Sequence, residues 1–350
     1  MKTTTIATTK GMLCIIMIFA FSHCQSNDNK YEVINHSDTC ENNLFIGESS
    51  FMLLTEKNHL IGLDYGNDTF FYCQNISRPD SFFRFGTKGQ GPDEYIHPFS
   101  IQYIDDNTIG VYDAMQKKYT ETVLIPYTGS FKKKVVVVDK MSFSVLKTAC
   151  NQYIGIGAYR DAMFTVYDSA GTQFKSFFEY PYKNSDEKKI KNEIRAMAYQ
   201  GKIRTNLSRT KFVYAASSAD IIHFYDIEEG DIRVIKKIEN RFCNYIPEEN
   251  NGAISAAKMP TNKNGCADLY ATEKYVYYLY SGRTFAEYRL KFFEGDLLRI
   301  YDWNGNLLKE VKTDIPCKNI CVSSDDKTML AIAEIPEPTV IQFDLKNTLH

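Results

Sequence analysis

The side chains that could ligate a metal or attack a substrate are few and scattered. His36, His59, His97, His223 and His350 follow residue 24, and no two of them stand at ligand spacing; no Cys-x-x-Cys occurs. A structural zinc site is therefore not expected. The carboxylate pairs Asp105-Asp106, Glu228-Glu229, Glu248-Glu249 and Asp325-Asp326 fall in segments that read as turns. Gly86-x-x-Gly89-x-Gly91 has the glycine spacing of a phosphate cradle. Such a cradle needs a strand before it and a helix N-terminus after it. Pro92 and the strand-rich surroundings make the segment a structural link instead.

One segment mixes rings with cations. Arg283, Phe285, Tyr288 and Arg289 are followed by Lys291, Phe292 and Phe293. Aromatic faces stack and a guanidinium reads carboxylate, so these first four residues are the candidate ligand rim, for a glycan or a peptide. The competing reading is a long hairpin that packs its own rings. Lys132-Lys133-Lys134 precede four valines, a pattern that guards an exposed strand edge. No catalytic, metal-binding or cofactor-binding residue is assigned.

Seven cysteines follow Cys24, at 40, 73, 150, 243, 266, 317 and 321. An odd count leaves one without an intramolecular partner. Cys317 and Cys321 on one strand would lie about 13 Å apart, beyond disulfide reach. Cys243 and Cys266 flank an irregular stretch and are the better pair, with buried free thiols as the default.

What positions such residues is legible from composition and repeats. The chain has 350 residues, 44% hydrophobic, with 41 Lys+Arg against 43 Asp+Glu. That balance argues against a nucleic-acid binder held by a basic surface. Tyr (24) and Phe (23) with a single Trp favour strands.

A short unit recurs six times: a polar turn followed by an apolar run. The runs are Leu60–Leu63, Ile109–Tyr112, Tyr153–Ile156, Phe212–Ala215, Tyr275–Tyr278 and Met329–Ile332. A second unit is a strand ending in aromatic-Asp and a tight turn, at Asp168, Asp226 and Asp302. An Asp there bonds its own turn backbone, so these three carboxylates read as turn makers. Gly62, Gly110 and Gly155 mark close approach within the strands.

Six small antiparallel sheets that cover one another's faces predict an all-β, six-bladed β-propeller over residues 45–350. The last unit has strands near Asn319–Val322, Met329–Ala333 and Thr339–Asp344, with too few residues left for a fourth. A segment within Tyr31–Ile46 is expected to supply it and close the ring. Asn184-x-x-Glu187, then Ile190, Ile194 and Met197, predict one short helical insertion within 183–205.

Residues 1–23 read as a signal peptide. Lys2 and Lys10 precede an apolar run from Met12 to Phe21 that is too short to span a bilayer. Phe21-Ser22-His23-Cys24 and the polar stretch after it resemble a bacterial lipoprotein signal, although Phe21 and His23 depart from the usual residues. The resemblance implies lipid on Cys24, a tether over 24–44, and an exported protein held at the outer membrane by its acyl chains, on the periplasmic or the cell-surface side. The alternative is ordinary secretion, with Cys24 incidental.

The link Phe85-Gly86-Thr87-Lys88-Gly89-Gln90-Gly91-Pro92-Asp93-Glu94-Tyr95, with Pro98 after it, resembles that between blades of NHL-like six-bladed propellers. The runs Tyr278–Arg283, Gly295–Gly305 and Asp325–Thr339 resemble a TolB-like six-bladed propeller family. Members are typically lipoproteins of Gram-negative envelopes, so the resemblance implies a fold and a compartment but no catalytic residue. The function expected is a non-enzymatic binding or scaffolding module for a glycan or an envelope protein. The alternative is an axial-site, metal-assisted hydrolase or lyase, with calcium held by carboxylates of different blades.

Overall fold

The computed structural model describes residues 31–37, 49–92, 94–125 and 129–348. The signal segment, Cys24 and Cys40 lie outside them. Contacts gather Glu32–His350 into one unit.

Two short strands come first, β1 (Glu32–Ile34) and β2 (His36–Ser37). Six sheets follow. Blade 1 holds β3 (Ser49–Leu54), β4 (His59–Asp64), β5 (Thr69–Asn75) and β6 (Arg78–Thr87). Blade 2 holds β7 (Pro98–Asp105), β8 (Thr108–Asp113), β9 (Lys118–Ile125) and β10 (Gly129–Val137). Blade 3 holds β11 (Ser144–Lys147), β12 (Tyr153–Ile156), β13 (Phe164–Tyr167) and β14 (Gln173–Phe177). Two helices, α1 (Ser185–Lys188) and α2 (Asn192–Ala198), lead to blade 4: β15 (Gly201–Thr205), β16 (Lys211–Ala216), β17 (Asp220–Glu228) and β18 (Asp231–Arg241). A separate hairpin, β19 (Tyr245–Asn250) and β20 (Ala253–Lys258), precedes blade 5. That blade holds β21 (Cys266–Ala271), β22 (Tyr275–Tyr280), β23 (Gly295–Asp302) and β24 (Leu307–Cys317), with α3 (Phe285–Tyr288) and a 3-10 turn (Arg289–Phe293) between its second and third strands. Blade 6 holds β25 (Asn319–Val322), β26 (Thr328–Glu334) and β27 (Pro338–Asp344).

Each blade is an antiparallel meander, and all six repeated runs fall in its second strand. The turn before that strand is built from a recurrent set of residues. Thr55, Thr148, Asn206, Thr272 and Ser323 each present a side-chain oxygen that accepts a backbone N–H at the start of the next strand. In four of these turns Asn58, Asn151, Arg209 or Asp326 has a φ near +60°. Asn and Asp tolerate that conformation better than other side chains.

The apolar core lies between blades. One cluster joins blades 1, 2, 5 and 6 through residues such as Leu60, Phe71, Ile109, Leu279, Ile320 and Leu330. Others join blade 3 to 4, 4 to 5 and 2 to 3. The strands carry apolar residues on both faces because each blade has a neighbour on both sides. Gly62 and Gly110 allow a tyrosine of the adjoining strand to lie across the sheet: a Cβ at Gly62 would stand 2.1 Å from Tyr72 Cζ, and one at Gly110 1.8 Å from the Tyr119 hydroxyl.

The ring closes as expected, and with one addition. β2 is the outer strand of blade 6, antiparallel to β27, with His36 opposite Phe343. β1 adds a fifth strand to blade 5, parallel to β24, with Glu32 opposite Val311. The N-terminal segment thus spans the outer edges of two neighbouring blades.

Some expectations are corrected. Asp168 and Asp302 do accept backbone N–H groups of their own turns. Asp226 does not make its turn: β17 runs on to Glu228, the turn falls at Glu229-Gly230, and Asp226 pairs with Lys211 at 2.9 Å. Glu248 and Glu249 lie within β19 rather than in a turn. The helical insertion is two helices; Asn184 caps α1, accepting from the N–H groups of Asp186 and Glu187. Cys243 and Cys266 are buried and unbridged, like the other described cysteines except Cys150, which is unbridged but exposed.

An axial funnel as the candidate binding site

The first strands of all six blades begin around one opening. Ser50 and Phe51 (blade 1), Phe99 (blade 2), Phe143 and Ser144 (blade 3), Lys202 and Arg204 (blade 4), Cys266 and Ala267 (blade 5) and Lys318 and Asn319 (blade 6) line a funnel of about 560 Å³. That size suits a small-molecule ligand. The wall has two halves. Phenylalanines come from blades 1, 2 and 3, and cations and amides from blades 4 and 6. At the narrow end Leu53, Ile101, Leu146, Tyr270 and Arg204 border a cavity of only about 20 Å³. Arg204 lines both spaces, so its guanidinium sits where the funnel is plugged.

The floor of the plug is braced across blades. Gln102 of blade 2 donates to the Lys147 carbonyl (2.9 Å) and to Thr205 Oγ1 (3.2 Å), and accepts from Lys147 N–H and the Tyr119 hydroxyl, both at 2.7 Å. The electrostatics centre on Asp268, which is 1% exposed. Lys202 Nζ is 2.7 Å from Asp268 Oδ1, and Arg204 Nη2 is 3.8 Å from the same oxygen. Asp268 Oδ2 accepts the Ile320 N–H at 2.9 Å. Both cations lie over the Phe51 ring, at 5.5 Å (Lys202) and 4.5 Å (Arg204) from its centroid. Burial lowers the pKa of Arg204, and Asp268 offsets part of that. Burial pushes the Cys266 thiol up to about 12, which makes it a weak nucleophile.

The funnel continues sideways. Gln200, Ser217, Asn264 and Phe293 also line a groove of about 440 Å³, walled by Met259, Pro260, Phe285 and Phe292. The insertion of blade 5 therefore overhangs the opening, with Leu290 74% and Phe293 54% exposed.

The four rim residues expected from sequence are placed unequally. Phe285 lines the groove. Arg283 turns inward, pairs with Glu294 at 2.9 Å and donates to the Lys291 carbonyl, with Tyr288 under it at 5.0 Å. Arg289 lies over the Phe285 ring at 5.8 Å. Tyr288 and Arg289 line neither cavity. Much of the segment packs its own rings. Phe51, Phe99, Phe143, Lys202 and Arg204 were not singled out from sequence. A signal was present: Phe51, Phe99, Phe143, Lys202 and Asn319 each stand nine or ten residues before the second-strand run of their blade.

The other motifs resolve as structure. Glu94 folds over the glycine link, its Oε2 accepting the Gly91 N–H at 2.7 Å, where a phosphate would otherwise sit. Lys132 leans from β10 onto the same link, over Tyr95 at 4.3 Å. β10 is an outer edge that exposes Phe131, Val135 and Val137 on either side of its three lysines. Among the described residues no three His, Cys, Asp or Glu side chains gather as a metal site, and no helix is long and apolar enough to cross a membrane. The funnel lining carries no carboxylate, a donor set that does not suit calcium.

Three solved structures similar to the chain are distant from it in sequence. A presumed exported protein of Bacteroides fragilis NCTC 9343 is 12% identical, with 89% of this chain and 93% of that chain covered and a TM-score of 0.49. Kuenenia stuttgartiensis hydrazine synthase is 12% identical, with coverage of 85% and 96% and a TM-score of 0.47. The Cps50 (Swd1) β-propeller domain of Myceliophteria thermophila is 9% identical, with coverage of 88% and 99% and a TM-score of 0.50, a likeness of fold alone. No curated protein sequence matches. The family described as TolB-like 6-blade propeller-like matches residues 28–325, and with six blades closed by an N-terminal strand the chain belongs to that family.

Proposed function

We propose that this propeller is an envelope-anchored binding module that takes a glycan into its axial funnel without transforming it. The carrying observation is the divided wall: three phenylalanines from blades 1 to 3 face amides and cations from blades 4 and 6 around one opening. Sugar rings present flat C–H faces that stack on aromatics, and hydroxyls that amides and hydroxyls can bond. Acyl chains on Cys24, exposed when the leader is removed, would hold the ring at the outer membrane.

A glycan screen with purified protein tests the first part. Binding is expected, and Phe99→Ala or Phe143→Ala, in protein that circular dichroism shows to be folded, should weaken it at least about tenfold, as losing an aromatic anchor does. Binding that both variants leave intact would place the ligand elsewhere, and capture of an envelope protein in place of any sugar would make the module a scaffold. Intact mass of membrane-extracted protein tests the anchor: lipid on Cys24 is expected, and an unmodified mass would show plain secretion. Stoichiometric calcium or zinc in the purified protein would favour the alternative, a metal-assisted hydrolase or lyase at the axis.

A further inference from the structure

We propose that the glycan is acidic, and that the carboxylate of a uronic acid residue seats against Arg204 and Lys202 at the base of the funnel. This rests on the binding reading above.

Charge accounting gives the first reason. Lys202 and Arg204 share one carboxylate, Asp268, which is nearer to Lys202 (2.7 Å) than to Arg204 (3.8 Å). Glu334 offsets Lys318 at the rim. One positive charge at the base is left uncompensated in a place almost without solvent, since Arg204 is 7% exposed. Burial disfavours that charge unless an anion joins it.

Unused bonding capacity gives the second. Arg204 Nη1 donates to the Ile203 carbonyl at 2.9 Å, while its Nε has no partner. Ser50 Oγ and Ser144 Oγ, on blades 1 and 3 of the same wall, are likewise buried without partners. Buried polar groups are normally bonded. Here the guanidinium N–H and the two hydroxyls belong to residues of three blades that line one cavity, and all three atoms are buried just behind its surface. A planar carboxylate matches the Arg fork, and the ring hydroxyls of the same sugar match the serines.

The geometry also fixes an order along the axis. Phe51 is stacked under both cations, so it is covered on that side. Phe99 and Phe143 line the next two blades. A pyranose whose carboxylate reaches Arg204 would therefore lay its ring against Phe99 or Phe143, and the following sugar would pass Phe293 into the side groove.

Calorimetry with oligogalacturonate, its methyl ester and the neutral galactose oligomer tests this. The acid should bind at least about tenfold tighter than the ester, the worth of one charge-assisted hydrogen bond. Lys202→Gln, on a partly exposed side chain, should abolish most of that preference; Arg204→Gln should abolish the rest, provided circular dichroism shows it folded. Equal affinity for acid, ester and neutral oligomer would overturn the acidic assignment and leave glycan binding standing. A preference that survives in Lys202→Gln and in folded Arg204→Gln would overturn it too. Failure of all three oligomers to bind, in a protein that a wider screen shows to bind other sugars through Phe99 or Phe143, would overturn it as well; binding of no sugar at all would remove both readings.

Discussion

His36 and Asp314 are 278 residues apart in sequence and meet at the seam of the ring: Asp314 Oδ2 is 2.8 Å from His36 Nδ1, and its Oδ1 accepts the His36 backbone N–H at 3.2 Å. Asp314 belongs to blade 5, while the residue opposite His36, Phe343, belongs to blade 6. One short segment thus clasps both. The contact is partly exposed, so its removal in Asp314→Ala should cost less than about 1 kcal/mol. Ile34, two residues away, is 7% exposed and packs into the cluster shared by blades 1, 2, 5 and 6. Ile34→Ala should cost about 2–4 kcal/mol. Urea unfolding of both variants checks the order; a larger loss for Asp314→Ala would mean that charge, not burial, seals the ring.

The glycine–tyrosine crossings make a second expectation. A methyl group at Gly62 or Gly110 meets a fully buried ring rather than a flexible chain end. Overpacking of this kind costs about 1–3 kcal/mol. Gly110→Ala should be the worse of the two. It displaces the Tyr119 hydroxyl, which donates to Gln102, and Gln102 ties blade 2 to blades 3 and 4. Equal unfolding midpoints for the two variants would show that the Gln102 brace carries little.

Why the ring was legible and the site was not follows from where each is encoded. Blade strands repeat because every blade solves the same packing problem, so the runs at Leu60, Ile109, Tyr153, Phe212, Tyr275 and Met329 repeat with it. The closing strand could be anticipated because the last unit shows only three strand runs, now β25, β26 and β27. The parallel pairing of Glu32–Ile34 with β24 could not, since three residues carry no register signal. The funnel was missed because its residues differ from blade to blade: Phe51, Phe99 and Phe143 share a position with Lys202 and Asn319, and a functional wall is the place where a repeat stops repeating. Rings and cations bunched in sequence at 283–293 drew attention instead, and most of them hold their own insertion in place.

Asp326 should make stability depend on pH in a direction opposite to that of most carboxylates. Burial raises its pKa above 3.8, and hydrogen bonds from Thr272 and Tyr277 only partly oppose this. The folded chain then holds its proton more tightly than the unfolded chain. That contribution is fully present below pH 3.8 and is lost as pH rises through the raised value. Asp326→Asn removes the charge, keeps an oxygen for Thr272 and Tyr277, and suits a φ of +61°. The variant should melt higher than the parent at pH 7, with the difference shrinking toward pH 4. A variant that melts lower at pH 7 would show that the ionised carboxylate is needed by its two donors.

Arg283 gives an expectation about where stability resides. Its partner Glu294 is 5% exposed, so Arg283→Ala leaves a buried carboxylate unpaired, a loss that can reach about 3–5 kcal/mol. The insertion has a cheaper response, because Phe285–Phe293 is joined to blade 5 at its ends and is exposed along most of its length. It can open by itself and let Glu294 reach water, so the global cost is capped by the local stability of the segment. Arg283→Ala should leave the urea midpoint nearly unchanged, speed amide exchange within 284–293, and weaken glycan binding by moving Leu290 and Phe293 off the funnel mouth. A large drop in global stability with unchanged exchange in that segment would instead mean that the insertion unfolds only with blade 5, and that Arg283 acts as a brace of the blade itself.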